Sequence, residues 1–297
     1  MLRIGGYIMS FVLDSIQDCY EEFILSCETK NLSSRTIQYY QECYRLFSQV
    51  VDVEQSVTEL NNRTIKRFTL HLQKNTSCNA NSINARLRGI RTFLNYCYDM
   101  EYISKVKVPM LKTDGEQKEP YTKEEIVKLL TLNKNPSFTE YRNYCIVATF
   151  IATGMRLNTL INLKVSDLDF EDFTIKLTTT KNRKVQYIPM PKKLAVILSK
   201  YVRKVKPTSY LFTSRTGEQL SDNAVKIAIR KYNRRRGVES TSIHKFRHTF
   251  AKNYLMNGGD VFKLQKLLSH STLDITKNYV NLYCIDLKED MDSICML

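Results

Sequence analysis

Apolar residues recur at intervals of three and four through the first part of the chain. Leu13, Ile16, Cys19, Tyr20, Phe23, Ile24 and Cys27 fall on one face of a helix, and Ser33 or Ser34 can cap a second helix running through Val51. The same spacing predicts helices from about Asn62 to Gln73 and from about Asn79 to Tyr102. The second of these carries Ile83, Leu87, Ile90, Leu94 and Tyr98 on one face, with Arg86, Arg88 and Arg91 near the other. The periodicity then stops. Residues 103–120, ISKVKVPMLKTDGEQKEP, gather Pro, Gly and charge in the manner of a linker.

Beyond Pro120 the pattern resumes. Thr122 and Glu125 form a capping box, and a further helix spans about Glu140 to Ala152 before Gly154 breaks it. FTIKL, the polar TTTKNRK and VQYIPM alternate as the two arms and turn of a hairpin, after which helices return from Lys192 onward. Ser221 caps a helix that ends in Arg230, Lys231, Arg234, Arg235 and Arg236, with Gly237 in a C-terminal capping position. The chain therefore reads as mainly α with a small antiparallel β-sheet, in two domains. Residues 13–102 form a helical domain, 103–120 a linker and 121–280 a second, α+β domain. Residues 1–12 read as a flexible N-terminus and 281–297 as a tail. A length of 297 residues suits two cores.

Charge changes the picture more than composition does. With 43% apolar and 25% charged residues the chain is ordinary globular material, but its formal net charge is +15. Residues 1–102 carry 11 basic and 11 acidic side chains, residues 103–280 carry 33 and 15, and the tail from 281 carries one and four. A field of that sign attracts polyanions by releasing their counterions, so nucleic acid is the expected partner. Phosphate contact is the reading given to the cations of the Ser221 helix, a solvated face being the alternative. An anionic membrane surface would also attract the chain, yet no segment reaches the roughly 18 to 20 apolar residues of a spanning helix. The apolar IGGYIMSFVL runs into Asp14 without a cleavage site, so no signal peptide is expected, and Met9 is an alternative start. Eight cysteines without a C-x-x-C pair suggest reduced structural thiols and a cytoplasmic location.

Three of the four histidines, His244, His248 and His270, cluster near one another in the sequence. In IHKFRHTFA, His244 and Arg247 share a helix face and His248 lies one turn from His244. A zinc site of the H-E-x-x-H form would need Glu where Lys245 stands, so no metal is expected.

Taken together, Arg156 in TGMRLNTL, Lys181 in the hairpin turn, His244 and Arg247, His270 in LLSHSTLDITKNY and Tyr279 nine residues later change the meaning of each part. In motif order and spacing the chain resembles the tyrosine recombinases, the phage integrase family, over nearly its whole length. The resemblance implies a helical core-binding (SAM-like) DNA-binding domain followed by a catalytic domain. It makes Tyr279 the nucleophile that forms a covalent 3′-phosphotyrosine intermediate, with Arg156 and Arg247 clamping the scissile phosphate. Planar guanidinium groups suit that task, because attack builds charge on the non-bridging oxygens. By the same resemblance Lys181 protonates the departing 5′-oxygen and His270 hydrogen-bonds the phosphate, while the phenol, titrating near 10 in water, needs the base or cationic surround that His244 and the arginines offer.

The resemblance further implies double-stranded DNA with inverted half-sites, a homotetramer on DNA, accessory directionality factors and no cofactor, in a bacterial, archaeal, phage or mobile-element setting. His248 fits a structural role or a chemical one. Thr159 stands where the family often has Glu, and Ser269 where Gly commonly precedes the second histidine. The residues before Leu13 are too few for the separate arm-site-binding domain that some members carry. The acidic tail, with Ile285, Leu287, Met291 and Ile294 on one face, suits docking into a neighbouring protomer. A relaxing activity with the same chemistry and a DNA-binding protein with a vestigial site are the competing functions.

Overall fold

A computed structural model describes residues 15–75, 77–113, 119–178, 185–239 and 241–269. It splits into two compact units, Met1–Glu116 and Gln117–Leu297. The expected flexible N-terminus and the tail lie outside the described residues, as do Lys181, His270 and Tyr279. Among the described residues no helix is long and apolar enough to cross a membrane.

The first unit is helical: α1 (Ile16–Thr29), α2 (Ser34–Phe47), α3 (Asn62–Asn75) and α4 (Ala80–Asp99). Ser15, Ser33 and Asn79 cap α1, α2 and α4 by accepting backbone N–H bonds from Asp18, Thr36 and Ser82. Two helices end earlier than the apolar pattern suggests. α2 stops at Phe47, where the Phe47 carbonyl takes the N–H groups of both Val50 and Val51 in a tight turn. Val51 remains buried, so its apolar character reports the core and not the helix. α4 stops at Asp99, because Glu101 adopts a left-handed backbone (φ 63°) and Tyr102 folds its N–H back to the Cys97 carbonyl.

Tyr20 and Tyr44 stack at 3.6 Å with Phe93 edge-on, and Phe47 meets Phe68 at 5.2 Å. α2 and α4 approach closely at Gly89, where an added Cβ would lie 2.5 Å from the Cys43 sulfur and 2.9 Å from its Cβ. The segment expected to be a linker has no helix or strand over its described residues, but its first half packs on this unit. Ile103 and Val108 are buried. Asn84 holds Leu111 at both ends of its amide, donating to the carbonyl (2.9 Å) and accepting from the N–H (2.8 Å).

The second unit contains α5 (Lys123–Leu129), α6 (Phe138–Thr153), α7 (Leu157–Ile161), α8 (Lys192–Val205), α9 (Asp222–Arg234), α10 (Ile243–Met256) and α11 (Val261–Leu267). The Thr122–Glu125 capping box opens α5 as the sequence predicts. α6 is apolar nearly all round and is the central helix, packed by α8, α9 and α10. The sheet has three antiparallel strands, β1 (Leu168–Asp169), β2 (Thr174–Leu177) and β3 (Gln186–Pro189), in that order. β2 and β3 are the expected hairpin, with Ile175 opposite Ile188 and both buried. β1, only two residues long, carries too little alternation to be read. The mainly α class with a small antiparallel sheet is the one the sequence predicts.

Because the Gly89 site has no space for a methyl group, Gly89→Ala should destabilise the protein by about 1–3 kcal/mol despite alanine's better helix propensity. Urea unfolding checks this as a lower midpoint at an unchanged slope.

Candidate active site

Two arginines from different elements meet at the end of a third. Gly154 ends α6 in a left-handed conformation (φ 61°), and the chain then turns so that Arg156 stands as the N-cap of α7. Only glycine suits this position: the backbone angle disfavours other residues, and a Cβ would lie 2.6 Å from the Phe250 ring. Half-buried Arg156 donates from Nη1 to the Leu268 carbonyl (3.2 Å) and from Nη2 to the Ser269 carbonyl (3.3 Å). Arg247, buried on α10, donates from Nη1 to the Gly154 carbonyl (3.0 Å) and from Nη2 to the same Leu268 carbonyl. A single oxygen at the end of α11 therefore receives both guanidinium groups.

A cavity of about 300 Å³ opens on this pair, lined by Met155, Arg156, Leu157, Lys226, Arg230, Thr241, Ser242, Ile243, His244 and Arg247. His244 lies one turn before Arg247 and is exposed. The first turn of α10 also faces the cavity, adding the partial positive charge of a helix N-terminus. No carboxylate stands among the described lining residues. A pocket so built suits a tetrahedral anion in charge and donor geometry, with planar donors for its oxygens and an imidazole nearby. Arg156, His244 and Arg247 are thus brought together. His248 is half-buried on α10 and is not among the lining residues. Thr159 is half-buried on α7.

Lys226 was not anticipated. It sits on α9 four residues before Arg230, on the same face, with an exposed ion pair to Asp222 at 3.7 Å; that four-residue spacing is the signal that would have found it. Arg230, Lys231, Arg234 and Arg235 are exposed, as a DNA-facing cluster requires. Arg236 departs from that placement. It pairs with Glu140, donates to the Thr131 carbonyl (3.2 Å) and lies 3.6 Å over the Tyr232 ring, with 11% of its side chain exposed against 14% for Glu140. Its charge is spent on bracing α9 against α6.

On the first unit Arg86 does not share the face of Arg88 and Arg91, since residues two apart on a helix point about 200° apart and residues three apart lie together. Arg86 is half-buried near Cys43 of α2; burial pushes that thiol up and the Arg86 guanidinium opposes the shift. Arg88 is exposed. Arg91 lines a cavity of about 730 Å³ with Lys66, Lys105 and Lys107, over a floor of Val106, Val108 and Pro109. Lys66 lies far in sequence from Lys105 and Lys107, so their meeting carries no local signature. Burial also pushes the Cys27 and Cys97 thiols up, and Cys145 to about 12, as structural thiols require. Among the described residues no group of three His, Cys, Asp or Glu is placed to hold a metal.

Residues 120–284 match the Phage integrase family, and residues 15–114 match the Phage integrase SAM-like domain. The tyrosine recombinase XerA of Thermococcus kodakarensis is 30% identical over 263 residues, covering 87% of this chain and 89% of its own. The Tn1549 transposon integrase in complex with transposon right end DNA shares the fold with a TM-score of 0.78 at 18% identity, covering 94% of this chain and 99% of that one. A lambda integrase tetramer bound to a Holliday junction gives 0.71 at 14% identity, over 89% and 77%. The chain belongs to the phage integrase family and is a tyrosine-type site-specific recombinase.

The two placements of arginine predict opposite behaviour. Arg236→Ala, which leaves a half-buried carboxylate without its partner, should cost about 1–3 kcal/mol of stability and leave the salt dependence of DNA binding unchanged. Arg230→Ala should leave the melting temperature alone and reduce the slope of log K against log salt by about one. Thermal melts and a salt titration of DNA binding separate the two.

Proposed function

We propose that the enzyme cuts and rejoins DNA strands through Tyr279. The phenol oxygen attacks the scissile phosphorus, its proton passing to His244 as the Oη–P bond forms. The P–O5′ bond breaks, and Lys181 gives the departing 5′-oxygen its proton. Arg156 and Arg247 hold the non-bridging oxygens as charge builds on them, and His270 hydrogen-bonds the same phosphate. One phosphodiester replaces another, so the reverse step on a new 5′-hydroxyl reseals the strand without ATP.

The observation that carries this reading is the meeting of Arg156 and Arg247 on one carbonyl oxygen, in a cationic cavity that His244 also lines. One nitrogen of each guanidinium lies within hydrogen-bond reach of that oxygen, which supports a shared anion between them. Exposed Arg88, Arg230, Lys231, Arg234 and Arg235, with Lys66, Arg91, Lys105 and Lys107 on the helical unit, supply contacts to backbone phosphates on either side. In this reading residues 13–102 bind the DNA core site, residues 121–280 carry the chemistry and the tail from 281 docks on a neighbouring protomer. The substrate is double-stranded DNA with inverted half-sites, held by a homotetramer in the cytoplasm. The tetrameric form of lambda integrase on a Holliday junction supports that assembly. Accessory factors would set the direction of exchange.

The test is a nicked suicide substrate built on the sequence recovered by selecting bound duplexes from a random library. Wild-type protein should give a protein–DNA adduct that survives denaturation, and Tyr279→Phe should give none while binding the duplex equally well. Duplex binding without adduct formation by the wild type would instead leave a DNA-binding protein with a vestigial site.

A further inference from the structure

We propose that Lys226 and Arg230 form a second phosphate subsite in the active-site cavity, which takes the backbone phosphate next to the one held by Arg156 and Arg247 and so fixes the course of the strand through the site. The proposal rests on the reading of the arginine pair as the clamp on the scissile phosphate.

Lys226 and Arg230 stand four residues apart on one face of α9, and the buried face of that helix decides where they point. Val225, Ile229 and Tyr232 are buried. The Tyr232 hydroxyl donates to the Leu129 carbonyl (2.8 Å), and Asn233 donates from Nδ2 to the Tyr121 hydroxyl (3.0 Å). α9 also packs on α7, the helix that Arg156 precedes as N-cap. The two cations therefore stand on a braced helix, and they line the same cavity as Arg156 and Arg247.

That cavity is larger than one phosphate needs. At about 300 Å³ it has room for roughly ten water-sized groups, about twice the five heavy atoms of a phosphate. A DNA strand cannot present one charge alone, because its successive phosphates follow about 3.4 Å apart along the helix axis. A strand seated with its scissile phosphate on the arginine pair brings a neighbouring charge toward the rest of the cavity. The cations there are Lys226 and Arg230.

Both can accept a new partner. Asp222 lies one turn before Lys226 at 3.7 Å, with 49% of the lysine side chain and 30% of the aspartate exposed, and an exposed pair of that length holds its ammonium weakly. Arg230 is exposed, and among the described residues no carboxylate pairs with it. The two pairs divide the work by chemistry. Planar forks grip the group whose charge grows during the reaction, whereas a compact ammonium on a flexible stem supplies a point charge to a phosphate that is only held. Anchoring that phosphate removes the strand's freedom to swing about the scissile one, and a reacting group displaced by an ångström is costly in rate.

The test is a charge-deletion cycle on the nicked suicide substrate, with the cleavage position first mapped from the length of the attached strand. A methylphosphonate, which removes a single charge, replaces the phosphate on one side or the other of the scissile one. At saturating protein, the wild type should cleave one of these two substrates about tenfold more slowly in a single turnover, while a methylphosphonate about three nucleotides away should cost less than about twofold. Lys226→Ala should cleave the unmodified substrate about tenfold more slowly and lose nothing further on the sensitive methylphosphonate, because the two deletions remove one contact. Lys226→Arg, which keeps the charge, should recover most of the rate.

Losses that multiply, or a wild type indifferent to both flanking charges, overturn the subsite. Should Lys226→Ala not fold, the same cycle is read from Arg230→Ala. No adduct from the wild type on the unmodified substrate defeats the Tyr279 reading and the subsite with it, whereas adduct formation with multiplying losses defeats the subsite alone.

Discussion

Two guanidinium groups repel each other, and a fold that sets them side by side must put acceptors between them. Here the acceptors are main-chain carbonyls at helix C-termini: Gly154 at the end of α6, and Leu268 and Ser269 at the end of α11. The last carbonyls of a helix have no intrahelical partner and carry the negative end of its dipole, so they hold cations in place at no cost to other bonds. A carboxylate would hold them too, but would cancel their charge. Neutral acceptors fix the geometry and leave the field intact for an incoming anion. The left-handed turn at Gly154 is what brings the first arginine to this junction, and the first two turns of α10 bring the imidazole and the second arginine.

Arg236 shows the opposite solution within the same unit. Paired with half-buried Glu140 and laid on the Tyr232 ring, it is neutralised and contributes to packing. Arg156 and Arg247, on neutral carbonyls, keep their charge for a ligand, whereas Arg236, on a half-buried carboxylate, does not. The helical unit does the same on a smaller scale, with Arg86 half-buried near Cys43 and Arg91 on an open concave face with three lysines.

Much of this was legible in the sequence where the governing interactions are local. Thr122 and Glu125 announce their capping box, the alternation of FTIKL and VQYIPM announces the hairpin, and the spacing of His244 from Arg247 places both on one face. What escaped depends on residues distant in sequence. The cluster around Arg236 reads as one phosphate-contacting stretch because nothing nearby reveals Glu140. Val51 reads as helical because burial and helicity leave the same apolar mark. Lys66, Lys105 and Lys107 converge only once the segment after α4 folds back on Asn84. Ser269 adopts a left-handed backbone (φ 51°), which nothing in its sequence neighbourhood announces.

A cationic pocket that its own fold does not neutralise is held at a standing electrostatic disadvantage. Any multivalent anion that enters favours the native state over the unfolded chain, where those charges are dispersed, so ligand occupancy is coupled to folding. Purified protein should therefore keep better in sulfate or phosphate than in chloride of equal ionic strength. Column resins bearing sulfonate or phosphate groups would then select for correctly assembled molecules as well as for charge.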